Sequence, residues 1–160
     1  MTVVFKRQTP ERTKLLRKAF KAHNVAQKFL VHLYNNGYLE RINGRFVLDK
    51  ILRGKVPKRF DIHHIIPLSG GGTNALSNLC LMEESLHKFI NKHCFDPALK
   101  DIQTGEVVEI NIPDFPPVAL RQDYSKFINQ TLQKPNRVSG FRKILLHPVR
   151  KLPVFKRWYK

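Results

Sequence analysis

Acidic residues, cysteines and long apolar runs are all scarce in this chain of 160 residues. Twelve Asp and Glu stand against 29 Lys and Arg, so the formal net charge is +17, which favours a polyanionic partner. The two cysteines, Cys80 and Cys94, form no C-x-x-C pair, so we expect neither a cysteine-bound zinc knuckle nor a required disulfide. No apolar run approaches the length of a membrane span, and the first residues lack the core of a signal peptide. We therefore expect a soluble cytoplasmic protein with no membrane partner, with delivery by a specialised secretion route left open.

The positive charge is concentrated at the two ends of the chain. Residues 1–60 carry a net charge of +12 and residues 135–160 carry +8, whereas residues 61–134 carry −3. Basic flanks around a mildly acidic centre favour a nucleic acid held by the flanks, in preference to anionic lipid or to charge that only aids solubility. The length suits one domain with a moderate core.

The pattern of the central stretch predicts a strand, a loop, a second strand and a helix. An apolar run at 62–68 is followed by a glycine-rich loop at 69–73 and a second apolar run at 79–82. Glu83 and Glu84 then fall in the first turn of a helical pattern, where acidic side chains suit the positive end of the helix dipole.

Three histidines and an asparagine are distributed over these elements so that they can meet. His63 and His64 are neighbours on the first strand and therefore face opposite sides of it. His87 and Asn91 are four residues apart, so they lie on one face of the helix. His63, His87 and Asn91 together cover part of the coordination shell of a divalent ion and leave positions for water and phosphate oxygen. His64 is then free to take a proton from water.

At these residues the segment resembles the HNH endonucleases, the ββα-metal (His-Me finger) nucleases, over roughly 35 of 160 residues. The resemblance implies that His63 and His87 are metal ligands, that His64 is the general base, and that Asn78 fastens the connecting loop and so orients the base. Asn91 falls where many members carry a further liganding histidine and others an asparagine.

The activity that this resemblance implies is hydrolysis of phosphodiester bonds, in DNA in preference to RNA, leaving 5′-phosphate and 3′-hydroxyl ends. The ion would be Mg²⁺ or Zn²⁺, with Mn²⁺ and Ni²⁺ as further candidates, because an amide oxygen is a harder ligand than an imidazole. The alternative is a non-catalytic nucleic-acid-binding module that keeps the HNH fold, although it would have no need of His64. A third hypothesis is an interaction protein that binds acidic partners. The biological setting stays open: a phage or mobile-element nuclease, a restriction-type enzyme, or a delivered toxin with an acidic neutralising protein.

Around this core we expect a single α+β domain with a ββα-metal nuclease core flanked by basic helices and β-hairpins. Residues 1–58 are predicted to form a basic helical region, with helix from 9 to about 36, and a hairpin at 38–48 that turns at Asn43-Gly44. This hairpin would pack on the core or form a separate DNA-reading wing. The nuclease core spans 59–97. Residues 98–134 are predicted to add a second hairpin at 101–112 and a packing helix at 121–133, and residues 135–160 form a basic tail with interspersed aromatics.

Seven basic residues are candidates for contact with nucleic acid phosphates. Those on the motif helix can equally form a solvated face, and the tail can equally dock its aromatics on the core. The seven are Lys55, Lys58, Arg59, Lys88, Lys92, Arg142 and Lys143.

Overall fold

A computed structural model describes residues 1–42, 48–132 and 142–144. The fold is mixed α+β, as predicted. The strands are β1 (Thr2–Lys6), β2 (Phe60–His64), β3 (Leu79–Glu83), β4 (Val107–Asn111), β5 (Val118–Ala119) and β6 (Arg142–Ile144). The helices are α1 (Pro10–Ala22), α2 (Val25–Asn35), α3 (Leu48–Leu52), α4 (Glu84–Ile90), α5 (Asp96–Leu99) and α6 (Ser125–Leu132).

The described strands form two small sheets. In the first, β1 pairs antiparallel with β4, and β4 pairs antiparallel with β6. In the second, β2 pairs antiparallel with β3, while β3 and β5 run parallel. His63 lies opposite Cys80, and His64 lies opposite Leu79. The three histidines of the central motif lie in the second sheet and in α4, which follows β3 directly.

The strand β3 is buried on both faces, which explains its unbroken apolar run. Leu79 and Leu81 pack with α2 in one hydrophobic cluster, which includes Phe29. Cys80 and Met82 point the other way, into a second cluster built on α4 and the first sheet. Burial of such side chains contributes roughly 1.5–3 kcal/mol each, so β3 is the strand that fixes the sheet between the two clusters.

The predicted helical region at 9–36 is confirmed as two helices that break at His23 and Asn24. Thr9 caps α1 by accepting a hydrogen bond from the backbone N–H of Arg12. Asn24 adopts the left-handed conformation, with φ of 51°, and separates α1 from α2. The packing helix is also confirmed, as a 3₁₀ turn at Arg121–Tyr124 that leads into α6.

The hairpin predicted at 38–48 is wrong at both described ends. Tyr38–Arg41 forms a 3₁₀ helix and residues 48–52 form α3, while the Asn43-Gly44 turn lies outside the described residues. Leu39 is buried and Ile42 packs against the same hydrophobic cluster. A spacing of three residues places both on one side of a helical turn, whereas a strand would separate them.

The second hairpin, predicted at 101–112, is also wrong, because only its second half is a strand. The register pairs β4 with β1, so that Phe5 lies opposite Val108. Phe5 is completely buried, and the apolar residues of β4 therefore find their partner about 100 positions earlier in the chain. Of the tail predicted over residues 135–160, the backbone of β6 is described, and the remainder lies outside the described residues.

Candidate metal and catalytic site

The two strands and the helix of the central motif are connected as the sequence predicts. β2 ends at His64, β3 begins at Leu79, and α4 starts at Glu84 immediately after β3. The backbone N–H of Glu84 donates to the carbonyl of Arg59, 2.8 Å away, which joins the start of α4 to the start of β2. The helix continues beyond Ile90 as a π-helical turn over Asn91–Phe95.

Asn78 fastens the loop between the strands with its whole side-chain amide. Its Oδ1 accepts from the N–H of Ile66 at 2.9 Å, and its Nδ2 donates to the carbonyls of Ile66 at 3.0 Å and Thr73 at 2.8 Å. The loop leaves no space for a side chain at Gly72, where a Cβ would overlap the Ile66 carbonyl oxygen. The predicted role of Asn78 in fastening this loop therefore agrees with its contacts.

His63 is a buried imidazole with a nitrogen that lacks a partner. The residue is 4% exposed; its ring stacks against Phe95 and meets the ring of His87 edge-on, with centroids 4.9 Å apart. Among the described residues its Nε2 has no hydrogen-bond partner. Burial, with the neighbouring His87 and His64, lowers the pKa of His63 to about 3. His63 is therefore neutral at physiological pH and keeps a lone pair available.

His87 is oriented by a carboxylate that the sequence pattern did not reveal. Its Nδ1 lies 2.9 Å from Oδ2 of Asp61. An ionised carboxylate only accepts hydrogen bonds, so Nδ1 carries the proton and Nε2 is the nitrogen left for a further ligand. A carboxylate on the far nitrogen is the usual partner of a metal-binding histidine. Asp61 is two residues before His63 on β2, and this alternation places both side chains on one face.

His64 faces the other side of β2 and is held by Asn74. Its Nε2 lies 3.0 Å from Oδ1 of Asn74, whose Nδ2 donates to the carbonyl of Leu16 at 2.9 Å. Because that donation fixes which end of the amide faces His64, Nε2 is the protonated nitrogen and Nδ1 is the basic one. The direct partner of the predicted base is thus Asn74, while Asn78 acts only through the loop.

The environment of His64 keeps its imidazole in the form that a general base requires. Burial lowers the pKa of His64; the hydrogen bond that His64 donates to Asn74 opposes that shift, and the positive charge of Arg17 adds to it. The imidazole is therefore neutral at physiological pH, with Nδ1 able to accept a proton.

His63, His64, His87 and Asn91 all line one cleft of about 420 Å³, hereafter the histidine cleft. The four residues come from β2, α4 and the π-helical turn that continues α4, and the structure places all four at this cleft. His93, two residues beyond Asn91, instead stacks on Phe89 with ring centroids 4.5 Å apart.

The donor set of the histidine cleft fits a divalent cation. Two imidazoles and an amide oxygen combine nitrogen and oxygen ligands, and the Nε2 of His63 is a buried nitrogen with no hydrogen-bond partner among the described residues. Within the described residues there is no group of three or more His, Cys, Asp or Glu placed to hold a metal ion. The predicted ligand set of His63, His87 and Asn91 contains only two residues of these types, since Asn91 is an amide.

None of the five predicted basic residues whose side chains are described lines the histidine cleft. Lys55, Lys58, Arg59, Lys88 and Lys92 are exposed elsewhere on the surface. Lys88 forms an ion pair with Glu84 one helical turn earlier, which favours the solvated-face alternative for that residue. The backbone of Arg142 and Lys143 lies in β6, and their side chains lie outside what is described.

The basic residues that do line the cleft are Arg17 and Lys21 of α1, together with Phe20. The sequence pattern placed them in a basic helix without connecting them to the site. A signal was present, since Arg17 and Lys21 are four residues apart and therefore share a helix face. What the sequence could not supply was the packing of α1 against the loop that follows β2.

Comparison with known proteins identifies a distant relative but assigns no activity to the chain. No family model and no solved structure matches the chain. The Uncharacterized protein YhhZ of Escherichia coli (strain K12) is 31% identical over 119 residues, which cover 69% of this chain and 29% of that protein. The chain thus spans less than a third of the length of this relative. In the described part of the chain, every helix is too short or too polar to span a membrane.

Proposed function

We propose that the protein is a metal-dependent endonuclease of the HNH type that hydrolyses phosphodiester bonds in DNA. The observation that carries the proposal is the pairing of two kinds of histidine in one cleft. His63 and His87 line the cleft, and the Nε2 of each has no hydrogen-bond partner among the described residues. His64 lines the same cleft and has a basic Nδ1. A purely structural metal site would not need His64 to be neutral and hydrogen-bonded at its far nitrogen.

In this mechanism the Nδ1 of His64 takes a proton from a water molecule, whose oxygen attacks phosphorus in line with the leaving group. The bond between phosphorus and the 3′-oxygen breaks, which leaves a 5′-phosphate and a 3′-hydroxyl that is protonated from solvent. Asn74 stabilises the resulting imidazolium, because its Oδ1 accepts from Nε2 while Nδ1 holds the transferred proton.

His63, His87 and Asn91 would hold the divalent cation, with Asp61 keeping His87 in the tautomer that exposes Nε2. When bound, the cation supplies Lewis-acid stabilisation of the negative charge that develops on the phosphate and on the leaving oxygen. Mg²⁺, Zn²⁺, Mn²⁺ and Ni²⁺ are all candidates for a mixed set of imidazole and amide ligands.

The test is cleavage of plasmid DNA, and of RNA in parallel, with each of these ions and with a chelator. We expect His64→Ala to lower the cleavage rate by roughly 10²–10⁴ while leaving DNA binding and thermal stability nearly unchanged. His23→Ala, which replaces an exposed histidine on another element, is the matched control. Wild-type cleavage by the His64 variant would remove that residue from the mechanism. DNA binding without cleavage under every condition would favour the non-catalytic module instead.

A further inference from the structure

The helix α1 forms part of the wall of the histidine cleft, although it lies outside the motif that carries the proposed chemistry. Arg17, Phe20 and Lys21 line the cleft together with His64 and His87. On a helix, residues 17 and 21 are about 6 Å apart along the axis and share a face. A pair of cations is therefore presented along the same cleft as the proposed base.

The position of α1 relative to His64 is fixed by two contacts. Asn74 bonds the Nε2 of His64 through one end of its amide and the carbonyl of Leu16 through the other. The ring of Phe20 lies 5.4 Å from that of His64, centroid to centroid. Arg17 follows Leu16 directly, so the cations on α1 are held in register with the base rather than carried on an independent element.

Neither cation is neutralised within the described part of the chain. The side chains of Arg17 and Lys21 are exposed and make no ion pair or hydrogen bond there. Asp61, on the opposite side of β2, is already engaged with His87. Two uncompensated positive charges at the mouth of a concave site attract an anion, and the field is concentrated by the low-dielectric walls.

We propose that Arg17 and Lys21 form a phosphate-binding subsite that holds the DNA backbone against His64. The subsite rests on the proposed function and assigns to α1 the role that the sequence pattern gave to the basic run at 55–59. The guanidinium of Arg17 suits paired hydrogen bonds to phosphate oxygens, and the ammonium of Lys21 acts as a point charge on the neighbouring phosphate.

The experiment compares two double variants that remove the same charge. Arg17→Ala with Lys21→Ala removes the subsite, whereas Arg12→Ala with Lys28→Ala removes two exposed cations that do not line the cleft. DNA affinity is measured over a range of salt concentrations in a His64→Ala background, and cleavage is measured with His64 intact. Melting temperatures verify that all variants are folded.

We expect the cleft variant to bind DNA roughly ten- to a hundredfold more weakly than the control variant. Its log–log salt slope should be smaller by about 0.9 for each phosphate of duplex DNA that the variant no longer neutralises. Arg17→Lys with Lys21→Arg keeps the charge and should recover most of the affinity. Equal affinity and slope for the two double variants would overturn the subsite. If the parent protein cuts DNA, the proposed function then still stands; if it neither cuts nor binds DNA, both proposals fall.

Discussion

His63 and His64 are consecutive residues with opposite surroundings. One faces Phe95, Phe115 and His87 in an apolar layer, and the other faces Asn74 and Phe20 beside α1. Alternation along β2 is the cause, since one residue of offset reverses the face. Burial lowers the pKa of both, yet it leaves His63 without a partner among the described residues and His64 with a donor–acceptor chain to the backbone. The proposed division into ligand and base follows from that difference.

We expect substitution of Asp61 to weaken metal binding although Asp61 is not itself a proposed metal ligand. Asp61→Ala removes the acceptor that holds the Nδ1 proton of His87, and removal of such a partner lowers metal affinity about 10–100-fold. Asp61→Asn should have a smaller effect, because an amide oxygen can still accept the hydrogen bond from the Nδ1–H of His87. Calorimetric titration with Zn²⁺ measures all three proteins.

The matched control for Asp61 is Glu84→Ala, which removes a carboxylate of the same motif that pairs with Lys88 rather than with His87. An equal decrease of Zn²⁺ affinity in both alanine variants would mean that the effect is one of net charge. NMR of the His87 ring in the metal-free proteins gives an independent measurement, since the tautomer is expected to shift only in the Asp61→Ala variant.

Acid should destabilise the metal-free protein through His63. Its pKa is about 3 in the folded state against an ordinary 6.5, so below pH 6.5 the unfolded chain binds the proton and the folded chain does not. Stability is therefore lost as the pH falls from 6.5 towards 3, by at most about 1.4 kcal/mol per pH unit for this group.

Replacement of His63 by Leu removes that proton and should make the melting temperature less dependent on pH between 7 and 5. Each protein is measured in chelator and compared with its own value at pH 7. His23→Leu, an exposed histidine at the end of α1, should keep the wild-type dependence. The same slope in all three proteins would exclude His63 as a source of the acid sensitivity.

At the scale of elements, local signals predicted α1, α2, β2, β3, α4 and α6, and long-range pairing was missed. Each of these elements carries its own periodicity or cap, such as Thr9 before α1. By contrast, β1 is a strand because β4 covers it, and no pattern within residues 2–6 specifies a partner at 107–111. The short strand β5 likewise depends on β3 beside it.

Residues of the candidate site could be predicted where they lie on the strands and helix of the central motif. Those contributed by other segments of the chain were missed. His63, His64, His87 and Asn91 follow from the alternation of a strand and the pitch of a helix. Arg17 lines the cleft only because α1 packs on the loop after β2, where Asn74 donates a hydrogen bond to Leu16; these segments are nearly 60 residues apart. Sequence periodicity predicts which residues share a face of a helix or strand, but it does not predict which of these faces pack together.

The substitution Asn78→Ala should destabilise the loop between β2 and β3 and lower the rate of DNA cleavage. Three hydrogen bonds to Ile66 and Thr73 are removed, each contributing about 1 kcal/mol. We expect a lower melting temperature and partial cleavage activity, because Asn74 still holds His64. Zn²⁺ binding should persist. Ser77→Ala, at the exposed neighbouring position, is the control, and complete loss of metal binding by the Asn78 variant alone would contradict the role of Asn78 as a residue that only fastens the loop.

On the scale of the whole molecule, the site lies between parts of the chain that differ in charge. The cleft side chains of the central motif belong to the segment of net −3, while α1 belongs to the N-terminal segment of net +12. The two segments meet at the histidine cleft, since Arg17 and Lys21 line it together with His63 and His87. Folding therefore brings basic residues to a mildly acidic motif, an arrangement that suits the polyanionic substrate proposed above.

The basic residues after β6 should contribute to DNA binding, whereas β6 itself should contribute to the stability of the first sheet. Residues 145–160 carry five basic residues and no acidic ones, and β6 immediately before them pairs with β4. Deletion of 145–160 should weaken binding to all DNA sequences alike and reduce the salt slope by about 0.9 for each phosphate that the tail would otherwise neutralise. Deletion of 135–160 should do the same and also lower the melting temperature, because β4 is left without a neighbouring strand on that side. If the salt slope is unchanged in both deletions, the tail binds no phosphates, and the basic residues that bind DNA must lie within residues 1–134.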